Sequence, residues 1–310
     1  MATPLYLALD FGGTKHAAAL LEPGARAWLD QRRVAAPPGS DGAQDRAVMF
    51  ALADDLLQAH PGRLLAIGVS FGGPVDWAAG RVILSHHVPG WEATPLVEIL
   101  RARYGAPVTM DNDANAAALG EWRFGAGQGA ASLLYVTVST GIGGGWVLDG
   151  RIYRGADSLA GEIGHLALDP AGPPCVCGKR GCVEAIGSGT NIARLMNERD
   201  RRQSWTAVDV NAAAEAGDEP ARAVMATAAR ALGPGLGYAI TLMNPEQIVI
   251  GGGVAGAGPY YWQVLRETAA AYVRPEMRAR TARNIGPAGL GGESPLWGAV
   301  ALAEAELEQA

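Results

Sequence analysis

The chain is poor in several things that would each point to a function class. It has three cysteines in 310 residues, an odd number that cannot form a disulfide framework. It has no apolar run approaching the length of a membrane span. It has no basic stretch longer than a few residues, and its net charge is −6. Phosphate binding by side chains needs clustered Lys and Arg, so a nucleic-acid groove is not expected and anions should be met by backbone N–H groups. No G-x-x-x-x-G-K-[ST] occurs, which excludes a Walker A loop. The chain passes from Met1 straight into an apolar segment without a basic leader or cleavage site. The expectation is a cytoplasmic protein with reduced thiols and no signal peptide.

What is present is more specific. Glycine is abundant at 43 residues, much of it in short runs beside apolar segments, and 49% of the chain is hydrophobic. The length suits two ordinary domains or one large one. All three cysteines fall within eight residues of one another, in the pattern His165-x9-Cys175-x-Cys177-x4-Cys182. Three thiolates and an imidazole make a closed tetrahedral zinc site. Gly172, Pro173, Pro174, Gly178 and Gly181 suit a tight knuckle and argue against helix or strand there. The competing reading is a coincidental gathering of buried thiols. A metal at this place is expected to shape a loop.

Periodicity predicts strands at Leu5–Leu9 and Ala17–Leu21 around the turn Asp10–Lys15, and a helix over residues 41–59. A strand is expected at Leu64–Val69, then a helix over Thr94–Tyr104 with Thr94 as cap, a strand at Pro107–Met110, and an alanine-rich helix to about Phe124. The pattern then restarts with a strand at Ser132–Val138, a Gly-rich turn over Ser139–Gly145 and a returning strand at Trp146–Leu148. Residues 188–243 read as mostly helical, with an interruption near Gly233-Pro234-Gly235. Gln247–Ile250 reads as a strand before Gly251–Gly253, and a helix ends the chain from about Pro295 to Glu308. Leu5–Lys15 and Leu133–Gly145 echo one another. A duplicated α/β unit with a cleft between its halves is therefore the expected architecture, set against a chance recurrence of Gly-rich hairpins.

Several segments could carry chemistry. In Asp10-Phe11-Gly12-Gly13-Thr14-Lys15 the glycines let backbone N–H groups converge on an anion. Thr14 adds a hydroxyl, Lys15 a cation, and Asp10 a carboxylate for a magnesium ion; an ordinary hairpin turn is the alternative. Thr140-Gly141 opens the matching turn of the second half. Gly251–Gly256 fits G-x-G-x-x-G formally but lacks an acid at the end of a following strand, since Glu267 falls in a helical stretch. A backbone surface for a base and ribose is preferred there. Asp113 is either a helix N-cap or a general base at a domain edge, with Asn112 able to bond a neighbouring hydroxyl. Glu162 and Glu184 are surface acids or acceptors for a polyol. His165 can ligate metal with one ring nitrogen and bond a ligand with the other.

Taken together these residues resemble the ROK family (repressors, uncharacterised reading frames and kinases), which groups with sugar kinases of actin-like fold. The resemblance runs from about Leu5 to Ala303. It rests on Asp10–Lys15, Asn112–Ala116, Gly120-Glu121, Thr140–Gly145, Gly161–His165, Cys175–Glu184 and Gly251–Gly253, the cysteine segment being the most specific. It implies two actin-like (ribonuclease H-like) α/β domains flanking a cleft, here residues 1–115 with 295–310, and 116–294 with the zinc knuckle. It implies ATP-dependent phosphorylation of a hexose, commonly at the 6-hydroxyl, by a homodimer or homotetramer using Mg²⁺ and Zn²⁺. By motif position Asp113 is the expected base. Asn112, Asp113, Glu162, His165 and Glu184 are the expected sugar ligands. Asp10, Gly12, Gly13, Thr14 and Lys15, with Thr140, Gly141 and Gly252, form the expected nucleotide side.

The chain departs from the family's glucokinases in two loops. Phe71-Gly72-Gly73-Pro74 replaces a Gly-x-Pro-Gly turn, and His87-Val88-Pro89-Gly90-Trp91 replaces Asn-Leu-Pro-Gly-Trp, with His86 and His87 as bulky neighbours of the pocket. These changes leave glucose, mannose, fructose, allose and the N-acetylated hexosamines all open. A transcriptional regulator is a weaker expectation, because the first turn begins at residue 10 and leaves no room for a helix-turn-helix before it. A non-catalytic sugar-binding protein on the same fold is the remaining alternative.

Overall fold

The computed structural model describes residues 2–85, 88–201 and 203–308. His86 and His87 lie outside the described residues. In chain order the elements are β1 (Pro4–Phe11), β2 (Lys15–Leu21), β3 (Asp30–Ala35), α1 (Gly42–Ala59), β4 (Arg63–Phe71), β5 (Val75–Asp76), β6 (Arg81–Val82), α2 (Leu96–Tyr104), β7 (Val108–Asn112) and α3 (Asp113–Phe124). There follow β8 (Ser132–Val138), β9 (Ile142–Leu148), β10 (Arg151–Tyr153), α4 (Val183–Gly187), α5 (Gly189–Arg199), α6 (Ala207–Glu215) and α7 (Glu219–Met243). The last elements are β11 (Gln247–Gly251), α8 (Pro259–Ala271), α9 (Arg278–Asn284), β12 (Ile285–Pro287) and α10 (Ser294–Glu308).

These form two compact units. The first comprises residues 1–128, 150–160 and 293–310, and the second residues 129–149 and 161–292. Sequence reading put the division at residue 115; here α3 stays with the first unit because α10 packs along it. That contact is close enough to require glycine on both sides. A Cβ on Gly298 would lie 2.0 Å from the Ala116 carbonyl oxygen, and one on Gly120 would lie 2.6 Å from the Gly298 nitrogen.

The first unit is built on a mixed sheet of order β3-β2-β1-β4-β7. The β1–β2 hairpin is antiparallel, and β1, β4 and β7 run parallel. Leu5, Leu7, Leu9, Ile67, Val69 and Met110 bury one face of this sheet against α1 residues Met49, Ala53 and Leu56. The second unit repeats the plan, with neighbours in the order β9-β8-β11-β12 matching β2-β1-β4-β7. There too the first hairpin is antiparallel and the pairings of β11 are parallel. Its core joins Leu134, Val136, Ile248 and Ile250 to α7 and α8 through Leu232, Leu236 and Leu265.

Three expectations are corrected. Thr94 does not cap α2. Its amide donates to the Trp91 carbonyl and its own carbonyl accepts from Val82 and Leu96, so the buried residue closes a turn and Pro95 stands at the cap without a side-chain bond. The Gly-rich turn is shorter than expected, because Gly143, Gly144 and Gly145 are strand residues paired with Thr137, Val136 and Tyr135. A Cβ on Gly144 would lie 2.6 Å from the Gly161 carbonyl oxygen, so the glycines permit close chain approach rather than a bend. Finally, α7 runs through Pro234 unbroken over 25 residues. An interior proline loses one helical bond and costs about 3 kcal/mol. Here Gly233, Pro234 and Gly235 are all buried, and Gly233 and Gly237 press against Thr268 and Tyr272.

Candidate functional site

In the first unit, strand register decides which residues meet. Asp10 pairs with Ser70 and Ser70 with Asp111; Phe11 pairs with Phe71 and Phe71 with Asn112. The turn after β1, the Gly72-Gly73 turn after β4 and the Asn112-Asp113 junction after β7 thus leave the carboxyl ends of three adjacent parallel strands together. That edge is where open α/β sheets present their ligand-binding groups. The turns are tied to one another: the Gly72 amide donates to the Phe11 carbonyl at 2.9 Å, and the Asn112 Nδ2 donates to the Gly73 carbonyl at 3.1 Å.

Asp10 is buried and accepts a 2.9 Å bond from the Ser70 hydroxyl. Burial pushes its carboxyl above the usual range, while the Ser70 bond and the positive charge of Lys15 pull the other way. Within the turn the Gly12 amide donates to the Lys15 carbonyl at 3.1 Å. A Cβ on Gly12 would lie 2.8 Å from that same oxygen, so the bend fits a bare backbone.

The sequence left Asp113 open between cap and base. In the structure the cap is Asn112, whose Oδ1 accepts from the Ala114 and Asn115 amides. Asp113 is the first helical residue, half-buried, with Oδ1 also accepting from the Ala114 amide at 2.8 Å. Asn112 has its oxygen and one amide hydrogen engaged, which leaves one N–H for a ligand.

The second unit brings Thr140 and Gly141 to the same sheet edge as Gly252. Thr137 pairs with Gly251. Gly252, at φ 80°, lies against β8, where a Cβ would fall 2.4 Å from the Val138 carbonyl oxygen. Glu184 is placed where sequence reading did not foresee it. Its Oε2 accepts from the Ile142 amide at 2.8 Å and sits 2.5 Å from where a Cβ on Gly141 would be. One carboxylate oxygen is therefore engaged in bracing the second glycine turn. The Thr190 hydroxyl and the Gly189 amide bond the Thr140 and Ser139 carbonyls, at 2.9 and 2.7 Å. The start of α5 was not singled out by sequence; its only signal was a Ser-Gly-Thr run able to cap a helix.

His165, Cys175, Cys177 and Cys182 converge, with one donor atom of each within 4.8 Å of all the others. The Cys175 Sγ and His165 Nδ1 are 3.6 Å apart, as are the sulfurs of Cys177 and Cys182. A tetrahedral ion with bonds of about 2.3 Å to sulfur and about 2.0 Å to nitrogen separates its ligands by about 3.5–3.8 Å. The donor chemistry fits zinc and the two 3.6 Å separations match such a site, within a cluster whose donor atoms lie up to 4.8 Å apart. Burial and the neighbouring thiols push the Cys182 thiol up to about 12, so a cation is what would hold it as thiolate. His165 turns Nδ1 to the sulfurs and Nε2 toward Glu162, 3.8 Å from its Oε2.

The ROK family model matches residues 6–306. The chain is a member of the ROK family. It is 35% identical over 294 residues to the glucokinase of Halalkalibacterium halodurans, an alignment covering 89% of this chain and 88% of that protein. The ROK hexokinase of Thermus thermophilus superposes with a TM-score of 0.85 at 36% identity, covering 99% of this chain and all of that one. A ROK glucokinase of Streptomyces griseus, solved in complex with glucose and AMPPNP, gives 0.84 at 30% identity, covering 97% and 99%. Among the described residues no helix is long and apolar enough to cross a membrane.

Proposed function

We propose that this ROK protein is an ATP-dependent sugar kinase acting on a hexose or hexose derivative, with the 6-hydroxyl as acceptor. The observation that carries the reading is the common edge of β1, β4 and β7, where a glycine turn with a buried carboxylate stands beside a helix-terminal carboxylate. Kinase relatives matched over nearly the whole chain support it.

In this reading Asp113 accepts the proton of the sugar hydroxyl as that oxygen bonds the terminal phosphorus of ATP. The bond from phosphorus to the bridging oxygen breaks and ADP leaves. Phosphoryl transfer asks the protein mainly for positioning and charge stabilisation. Asn112, Glu162, His165 and Glu184 are assigned to the sugar, Asn112 through its remaining N–H and Glu184 through its second oxygen. Asp10, Gly12, Gly13, Thr14 and Lys15, with Thr140, Gly141 and Gly252, are assigned to the nucleotide. Asp10 would hold Mg²⁺ directly or through water, and the ion would offset charge on the phosphate oxygens. The cysteine knuckle is assigned a structural zinc.

The test is ADP release measured with ATP across glucose, mannose, fructose, allose, N-acetylglucosamine and N-acetylmannosamine. Release with at least one of them is expected. Tight sugar binding with no release on any would replace the kinase by a non-catalytic sugar-binding protein.

A further inference from the structure

One buried carboxylate beside the candidate site is not among the residues assigned to substrate. Asp111, the fourth residue of β7, is completely buried. Its Oδ1 accepts from the Asn112 amide and from the Asn115 Nδ2, both at 2.9 Å. Its Oδ2 accepts from the Arg154 Nε at 2.7 Å. The Arg154 guanidinium, on the segment after β10, lies 4.1 Å over the ring of Trp77, and only 20% of its side chain is exposed. Arg154 is thus held from two sides, by a carboxylate and by an aromatic face, and holds the carboxylate in turn.

We propose that the Asp111–Arg154 pair positions the catalytic base. The inference rests on the assignment of Asp113 as that base. Asp113 sits in a four-residue turn whose flanks are both tied to Asp111: Asn112 through its main chain and Asn115 through its side chain. Rotation of the Asp111 carboxyl would move both flanks at once. Arg154 is the part that fixes this rotation, because a guanidinium clamped on a ring offers its Nε in one direction only. A buried ion pair is weak as a source of stability, whereas an oriented one suits a reaction governed by placement. Arg154 is also the cation that offsets the buried charge, since desolvation drives the Asp111 carboxyl upward and Arg154 opposes it. Neither residue is proposed to touch substrate.

The experiment compares Arg154→Met, Arg154→Lys and the double variant Asp111→Asn/Arg154→Met with Asp113→Asn and wild type. It reads kcat and both KM values well below the melting temperature, and the melting temperature itself. Arg154→Met should lower kcat by on the order of 10²-fold, the scale of a misplacement of about 1 Å, with both KM values within about threefold. Arg154→Lys should recover part of kcat. The double variant, which removes the unpaired buried charge, should recover the melting temperature but not kcat, and it serves as the test if Arg154→Met does not fold. Recovery of both by the double variant, or a wild-type kcat in folded Arg154→Met, overturns the proposal. If Asp113→Asn is inactive in the same series, the base assignment survives that failure; if Asp113→Asn turns over normally, the assignment itself falls.

Discussion

Asp113→Asn separates catalysis from stability more sharply than any other single change here. The substitution keeps the side-chain oxygen that accepts from the Ala114 amide at 2.8 Å, and it leaves the Asn112 cap intact. The negative charge it removes from the first turn of α3 is worth about 0.3–1 kcal/mol. What it removes from the reaction is the proton acceptor, typically worth about 10²–10⁴ in rate, or about 3–5 kcal/mol of barrier. The expected result is a kcat lower by at least about a hundredfold, with thermal unfolding and sugar affinity close to wild type. A coupled ADP assay, a calorimetric melt and sugar titration by calorimetry measure the three quantities on one preparation. If kcat stays within a few fold while the melt is unchanged, the carboxylate is not the base. If kcat and the melting temperature fall together, Asp113 is a helix-terminal charge and the reasoning fails on different grounds.

Asp10→Asn should raise stability at neutral pH while weakening Mg²⁺-ATP binding. Burial raises the folded-state pKa of Asp10, so its favourable contribution is complete below the unfolded-state pKa and is lost as pH rises through the folded one; a pH series of melts in which wild type and variant stay parallel would contradict this. Gly298→Ala drives a methyl into the Ala116 carbonyl where α10 crosses α3 and should cost about 1–3 kcal/mol or more, seen as a lower urea midpoint; an unchanged midpoint would mean the helices part freely. Protein prepared without added metal should carry one zinc, and Cys182→Ser should lose it; intact activity with no metal bound would count against the knuckle. Metal removal should raise the KM for nucleotide along with that for sugar, because Glu184 follows Cys182 by two residues and braces the Ile142 amide; a rise confined to sugar would leave Glu184 as a sugar ligand alone.

Much of the fold was legible in the sequence because hydrophobic period and turn chemistry are local. β1, β4, β8 and β11 are largely apolar runs, each followed within three residues by a glycine, and helix α3 follows directly from its alanine content. The short edge elements β3 and β12 were not anticipated. β3 is Asp-Gln-Arg-Arg-Val-Ala, only partly buried, and nothing in its own pattern marks it; its partner β2 supplies the reason it is a strand. The run Gly143–Gly145 misled for a related cause. Glycine serves equally in a bend and in a strand that another backbone must approach, and only the position of Gly161 distinguishes the two.

The site divides along the same line. The convergence of His165 with the three cysteines could be read from spacing, because that donor set in so short a segment is one that metal sites use. Side chains that answer to the main chain could not. Glu184 bonds the Ile142 amide, and Asn112 bonds the amides of Ala114 and Asn115 and the Gly73 carbonyl, partners that carry no residue identity and leave no trace in a motif. Yet these bonds decide how much of each side chain remains for a ligand. Glu184, an acid that looks like a sugar acceptor in a motif, has part of its acceptor capacity committed to the Ile142 amide. Specificity for one sugar over another should therefore depend less on which polar residues surround it than on which of their oxygens and hydrogens the backbone has left open.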